Sequence, residues 1–178
     1  MYAPLSHAAA LTYQLDPQHT SVIVTWNHFG FSHPTASIPA TTGTLQFDPA
    51  HPEKAQLNVS LPVAQIDNHV AALTTEFRGD EYFNVAKYPT ATYRSTKVVA
   101  KGGNKYDVYG ELTLKGITRP VTPHATLNKQ GEQPMLKKPA VGFDATATIK
   151  RSEFGLAQYV PAVADDVTLT ISTEAHSQ

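Results

Sequence analysis

The chain has 178 residues, 14 Lys and Arg against 15 Asp and Glu, and no cysteine. Such a length supports one domain with a sizeable core, and a near-neutral charge without a basic stripe argues against a nucleic-acid partner. Lack of cysteine removes disulfides, thiolate metal sites and cysteine nucleophiles together, and leaves the compartment open between cytosol and periplasm.

Residues 1–12 read as a flexible N-terminus ahead of a barrel domain spanning 13–178. The run Ser6-His7-Ala8-Ala9-Ala10 resembles the end of a signal peptide but lacks the basic start and apolar stretch that precede one, so a processed or truncated end is expected. A short strand is predicted near Tyr13. Eight strand regions follow, near residues 21–28, 42–47, 56–61, 90–99, 106–114, 121–128, 141–150 and 167–174, each alternating apolar and polar side chains. Asp48-Pro49, His51-Pro52, Gly102-Gly103-Asn104 and the stretch from Gly131 to Pro134 interrupt the alternation with turn-forming residues, and residues 134–139 read as a mobile loop. One segment departs from the β pattern. Val70, Leu73, Thr74 and Phe77 recur at helical spacing, with Asp67 or Asn68 available as a cap and Gly79 as a stop, which predicts one short helix leaning on the sheet.

Period-two faces collect Val22, Val24 and Trp26, then Leu45 and Phe47, then Val108, Leu112 and Leu114, while the opposite faces are mostly polar. One-sided strands of this number predict an all-β fold, an eight-stranded antiparallel barrel with a wet outside and an apolar interior. Val141, Phe143, Ala145, Ala147 and Ile149 share the inward face of one strand, and the two alanines leave room for a central apolar tunnel. A fully packed interior is the alternative.

Catalytic patterns are sparse. His28 and His33 do not match a metal-ligand spacing; with Arg151 and Ser152 they are candidates to hold a polar head at the barrel mouth, or to stabilise their loops. Asp165 and Asp166 are adjacent on a strand start, so their side chains point apart and read as solvated turn carboxylates rather than a shared acid and base. Arg78-Gly79-Asp80 and Asn58-Val59-Ser60 are short strings that arise by chance. Trp26, Phe29, Phe31, Phe83, Tyr93, Phe143, Phe154 and Tyr159 are candidate tunnel walls, where flat rings grip an unsaturated chain. The apolar run Tyr159-Val160-Pro161-Ala162-Val163 has no strand period and reads as a lid or wall.

Four ordered segments carry a resemblance to a known family: Trp26-Asn27-His28-Phe29-Gly30-Phe31-Ser32, then residues 77–93, from Phe77-Arg78-Gly79-Asp80 to Tyr93, then residues 110–121, from Gly110-Glu111-Leu112 to Val121, and finally Arg151-Ser152-Glu153-Phe154-Gly155-Leu156. Together they span most of the chain, and it resembles the YceI family. Tyr82, Asn84 and Tyr93 depart from the family's commoner Phe, Asp and Phe, keeping ring or turn character. The resemblance implies a lipocalin-like barrel exported to the periplasm that binds, sequesters or transports an isoprenoid-tailed lipid, a polyprenyl chain or polyprenyl phosphate, with a role in stress response. An isoprenoid quinone of the ubiquinone type, carried for a membrane redox enzyme or other lipid-handling protein, is the alternative. The residues expected to bind lipid are Trp26, His28, Phe29, Phe31, Phe83, Tyr93, Val108, Leu112, Phe143, Ala145, Ala147, Phe154, Tyr159 and Val160. No catalysis, metal or cofactor beyond the bound lipid is expected, and monomer and homodimer both stay open; a lipid-head-modifying enzyme using His28 as base is the competing class. Burial at ~0.8 kcal/mol per CH₂ gives about 3–4 kcal/mol per prenyl unit, so several units offset the ordering of the tail without polar contacts.

Overall fold

The computed structural model describes residues 10–178. In chain order the elements are β1 (Leu11–Thr25), β2 (Thr35–Ser37), β3 (Thr42–Phe47), β4 (Gln56–Leu61), α1 (Ala71–Arg78), β5 (Ala91–Gly102), β6 (Lys105–Leu114), β7 (Ile117–Val121), β8 (His124–Gln133), β9 (Lys138–Lys150) and β10 (Asp166–Ser177). Eight of them close a ring in the order β1, β3, β4, β5, β6, β8, β9, β10 and back to β1, every pair antiparallel. Closure leaves the ring itself with no free edge. The short β2 adds to β1, and β7 folds back on β6. The eight-stranded barrel with one helix is thus as the alternation predicted.

Element boundaries differ in four places. The strand expected near Tyr13 and the one from Ser21 are a single β1, whose register against β10 shifts between Leu15 and Thr20. Asp16-Pro17-Gln18-His19 forms this irregularity, where a proline costs no ladder bond. Val121 closes β7 rather than opening β8, because Lys115 and Gly116, both at positive φ, turn the chain straight back along β6. Residues 134–139, expected to be a mobile loop, form the tip of a hairpin paired through Gln133 and Lys138. Gln133 Oε1 accepts the N–H groups of both Met135 and Leu136 at 2.7 Å, which ties the tip. Helix α1 begins one residue later than predicted: Val70 takes the cap position, and Asn68 Oδ1 serves from ahead, accepting from the Val70 N–H and the buried Thr74 hydroxyl.

One end of the barrel is plugged. Phe47 at the end of β3, Tyr106 at the start of β6 and Phe143 in β9 meet edge to face, with ring centroids 5.4, 5.6 and 6.4 Å apart, a favoured aromatic geometry. Midway along β6, Tyr93 crosses the strand at Gly110. A Cβ there would stand 2.5 Å from the Tyr93 hydroxyl, so the position requires glycine. That hydroxyl donates toward the carbonyls of Val108 and Val121 at 3.1 and 3.0 Å, and burial pushes the phenol pKa far above its ordinary value.

Candidate functional site

The other end of the barrel holds a cavity of about 500 Å³, open at its mouth, with mostly apolar walls. Val24, Ala36, Leu61, Ala91, Leu112 and Ile149 supply the strand side. These inward side chains are short or branched, and none spans the barrel as the rings do at the plugged end. Two segments outside the ring complete the enclosure. From α1 come Leu73 and Phe77, and from the connection between β9 and β10 come Leu156, Tyr159 and Val163. Trp26 meets Phe77 edge-on at 5.7 Å, and Phe77 meets Tyr82 at the same distance, so the wall is continuous from β1 to the segment after α1.

The second of these segments is shaped by one arginine. Residues Arg151–Phe154 make a single 3-10 turn ending at Gly155 in the left-handed region, φ 73°, with Phe154 driven into the core at 1% exposure. From this turn the Arg151 guanidinium donates to four backbone carbonyls, those of Leu156 at 2.5 Å and of Gln158, Val163 and Ala164 at 2.8 Å. Burial draws its pKa down from the ordinary arginine value, opposed by the neighbouring Asp165. Asp165 in turn accepts from the Ser152 N–H and hydroxyl at 2.8 and 2.7 Å. Burial resists its charge, but the two Ser152 bonds, with Lys150 and Arg151 near, hold the carboxyl below the usual carboxylate range. Asp165 is therefore a bonded structural group and not a solvated turn carboxylate; Asp166, exposed and paired with Lys150 at 2.9 Å, does fit that description. The 27–34 loop joins the same assembly, since Phe29 N–H donates to Ala162 O and Ala164 N–H to Asn27 O, both at 2.9 Å.

Of the residues expected to contact lipid, Trp26, His28, Phe29, Phe83, Leu112 and Tyr159 line this cavity. The remainder lie elsewhere. Phe31 projects from the loop at 92% exposure. Tyr93 is committed to the Gly110 crossing, Phe143 to the plug, and Val108, Ala147 and Phe154 to the packed core. Ala145 borders a separate groove, open to solvent, that it shares with Lys105, Asp107 and His124. Val160 is half-buried beside Tyr159 and is not among the cavity walls. Of the head-group candidates, His28 and Arg151 reach the cavity, while Ser152 is spent on Asp165. Val163 lines the cavity from the apolar run 159–163 expected to form a lid or wall, whereas sequence reasoning missed Leu73, Phe77, Tyr82 and Leu156 as walls. Leu73 and Phe77 were legible as the apolar stripe of α1; the others come from segments without a period. Outside the barrel, Asp16, Glu174 and His176 bring ligand-type atoms within 4.8 Å of one another at the β1 irregularity. His19 is hydrogen-bonded to Asp16 there at 2.7 Å.

The YceI-like domain model matches residues 13–175. Protein YceI of Salmonella arizonae is 36% identical over 173 residues, covering 96% of this chain and 90% of that protein. Among solved structures, BcnA of Burkholderia cenocepacia superposes with a TM-score of 0.82 at 26% identity, over 90% of this chain and 98% of the other. A polyisoprenoid-binding domain from Saccharophagus degradans, implicated in plant cell wall breakdown, shares the fold with a TM-score of 0.68 at 12% identity, over 94% of this chain and 99% of its own. Ordered motifs, a closed barrel and these matches over nearly the whole chain agree: the protein belongs to the YceI family.

Proposed function

We propose that the protein binds an isoprenoid-tailed lipid in this cavity and carries or shields it in the periplasm, without chemistry of its own. The observation that carries this reading is the cavity: about 500 Å³, walled by apolar strand residues and closed over by α1 and the 156–163 segment. An apolar chain of prenyl units gains about 0.8 kcal/mol for each CH₂ it buries there. A structural relative described as a polyisoprenoid-binding domain supports the same ligand class. The enzyme reading gains less support, because a general base needs a third group to orient it. Among the described residues no side chain hydrogen-bonds His28, whose ring stands edge-on to Phe29 at 4.7 Å.

The test is extraction of freshly purified protein with organic solvent, identification of released lipids by mass spectrometry, and native mass measurement of the intact complex. A stoichiometric prenyl lipid is the expected result, and a co-purified quinone would select the redox-carrier form of it. Protein that releases nothing and takes up no added isoprenoid would overturn the proposal in favour of a packed structural barrel.

A further inference from the structure

The seam where the barrel closes gathers ligand-type side chains that the lipid site does not use. Here β1 pairs with β10, and the register breaks between Leu15 and Thr20 at Asp16-Pro17-Gln18-His19. Glu174 stands on β10 across from this break, and His176 lies opposite Gln14 just before it. Residues 174 and 176 share one face of their strand, and Gln14 and Asp16 share the matching face of β1. Leu15 and Ala175, which alternate with them, are buried, so the shared face is the outer one. Asp16, Glu174 and His176 thereby bring one donor atom each within 4.8 Å of one another. The neighbouring Thr173 is the register partner of Phe143 in the plug, which sets this cluster at the solid end of the barrel, away from the cavity.

Three features set the cluster apart from ordinary surface carboxylates. His176 Nε2 is buried with no hydrogen-bond partner. Glu174 Oε2 stands 3.8 Å from it, too far for a hydrogen bond, and a buried imidazole nitrogen left in that state calls for a partner. Asp16 is held in place, since Oδ1 accepts the Gln18 N–H at 2.9 Å and Oδ2 is bonded to His19 Nδ1 at 2.7 Å, with lone pairs left over on both oxygens. Among the described residues neither carboxylate pairs with a lysine or arginine; the groups beside them are the imidazoles of His19 and His176. Two carboxylates and an imidazole suit a borderline divalent ion such as zinc, whereas calcium and magnesium favour oxygen donors alone. Donors at about 2.0–2.1 Å from zinc stand about 3.3 Å apart, so shifts on the order of 1 Å close the observed spacing. The ion lies between the donors and needs no solvent-sized opening at Nε2; the half-exposed Glu174 carboxylate gives it a way in. We propose that Asp16, Glu174 and His176 bind a divalent transition ion of the zinc class, with water completing the coordination and His19 as the positioning residue that orients Asp16. Such an ion clasps β1 to β10 across the break in their ladder. This inference is independent of the isoprenoid reading.

The test uses the untagged full chain, stripped with a chelator and titrated with zinc chloride by calorimetry in a non-coordinating buffer. One equivalent is expected to bind, and zinc at about a hundred times its Kd should raise the unfolding temperature by about 5 °C. His176→Gln and the exposed Glu174→Gln should each weaken binding at least about tenfold, the second keeping the test open where the first fails to fold by circular dichroism. His19→Ala should weaken it by about tenfold while leaving the one-to-one stoichiometry. Other imidazole–carboxylate pairs lie on the surface, so His69→Ala, beside Asp67, serves as the control and should bind zinc like the parent. Zinc binding that survives both Glu174→Gln and His176→Gln, that is absent from the parent, or that magnesium chloride matches in affinity would overturn the assignment.

Discussion

The two ends of the barrel are built from the same strands with the same alternation, yet one is solid and the other hollow. At the plugged end Phe47, Tyr106 and Phe143 reach inward from three strands and meet. At the other end the inward positions carry Val24, Ala36 and Ala91, and closure is left to a helix and a connection lying outside the ring. Strand pairing is thus indifferent to whether an interior is filled, and three ring-bearing positions decide it. Stability and binding capacity should separate along the barrel axis accordingly.

The largest expected effect breaks the solid end. Phe47→Ala removes a ring 4% exposed and should cost about 4 kcal/mol in urea unfolding, with geranylgeraniol affinity in the folded protein unchanged. Loss of affinity in step with stability would show that the ends are not independent. Ala91→Phe sharpens the contrast from the hollow side. The added ring should lower lipid capacity at least about tenfold, at an overpacking cost of about 1–2 kcal/mol, measured by native mass spectrometry alongside circular dichroism. The smallest effect is a pH dependence at the mouth. Because the Asp165 carboxyl titrates lower in the folded chain than in the unfolded one, its contribution is complete above the ordinary aspartate range. It is lost as pH falls, since the unfolded chain takes up the proton first. Urea midpoints below about pH 4 should therefore fall more steeply for the parent protein than for Asp165→Asn.

Alternation reports which face a side chain takes but not its height along the barrel. That is why the inward face of β9 was legible while its use was not: Phe143 belongs to the plug, Ala147 to the core and Ile149 to the cavity. The two alanines suggested spare volume, yet bulkier neighbours cover Ala147, and Ala145 borders a different groove. Tyr93 was legible as inward-facing, but its passage over Gly110 depends on a glycine on the neighbouring strand. Pairing of β5 with β6 sets Tyr93 opposite Leu112 and Ser95 opposite Gly110, so the ring reaches diagonally to the glycine. The 156–163 wall has no period at all, because its conformation is set by a side chain binding its carbonyls rather than by its own residues. What sequence did convey about it was the apolar run 159–163, read as a lid or wall, and the Arg151-Ser152-Glu153-Phe154-Gly155 string, whose turn, buried ring and left-handed glycine each have a visible role.

Arg151 also bears on how loss-of-function maps of this barrel are interpreted. Its guanidinium is a fastener, holding four carbonyls of the segment that walls one side of the mouth. Replacing it would release the wall and the cargo together, so a screen scored by cargo alone ranks this cationic position beside true contacts and suggests an anionic ligand. Counting the bonds it already makes removes that illusion before any ligand is chosen.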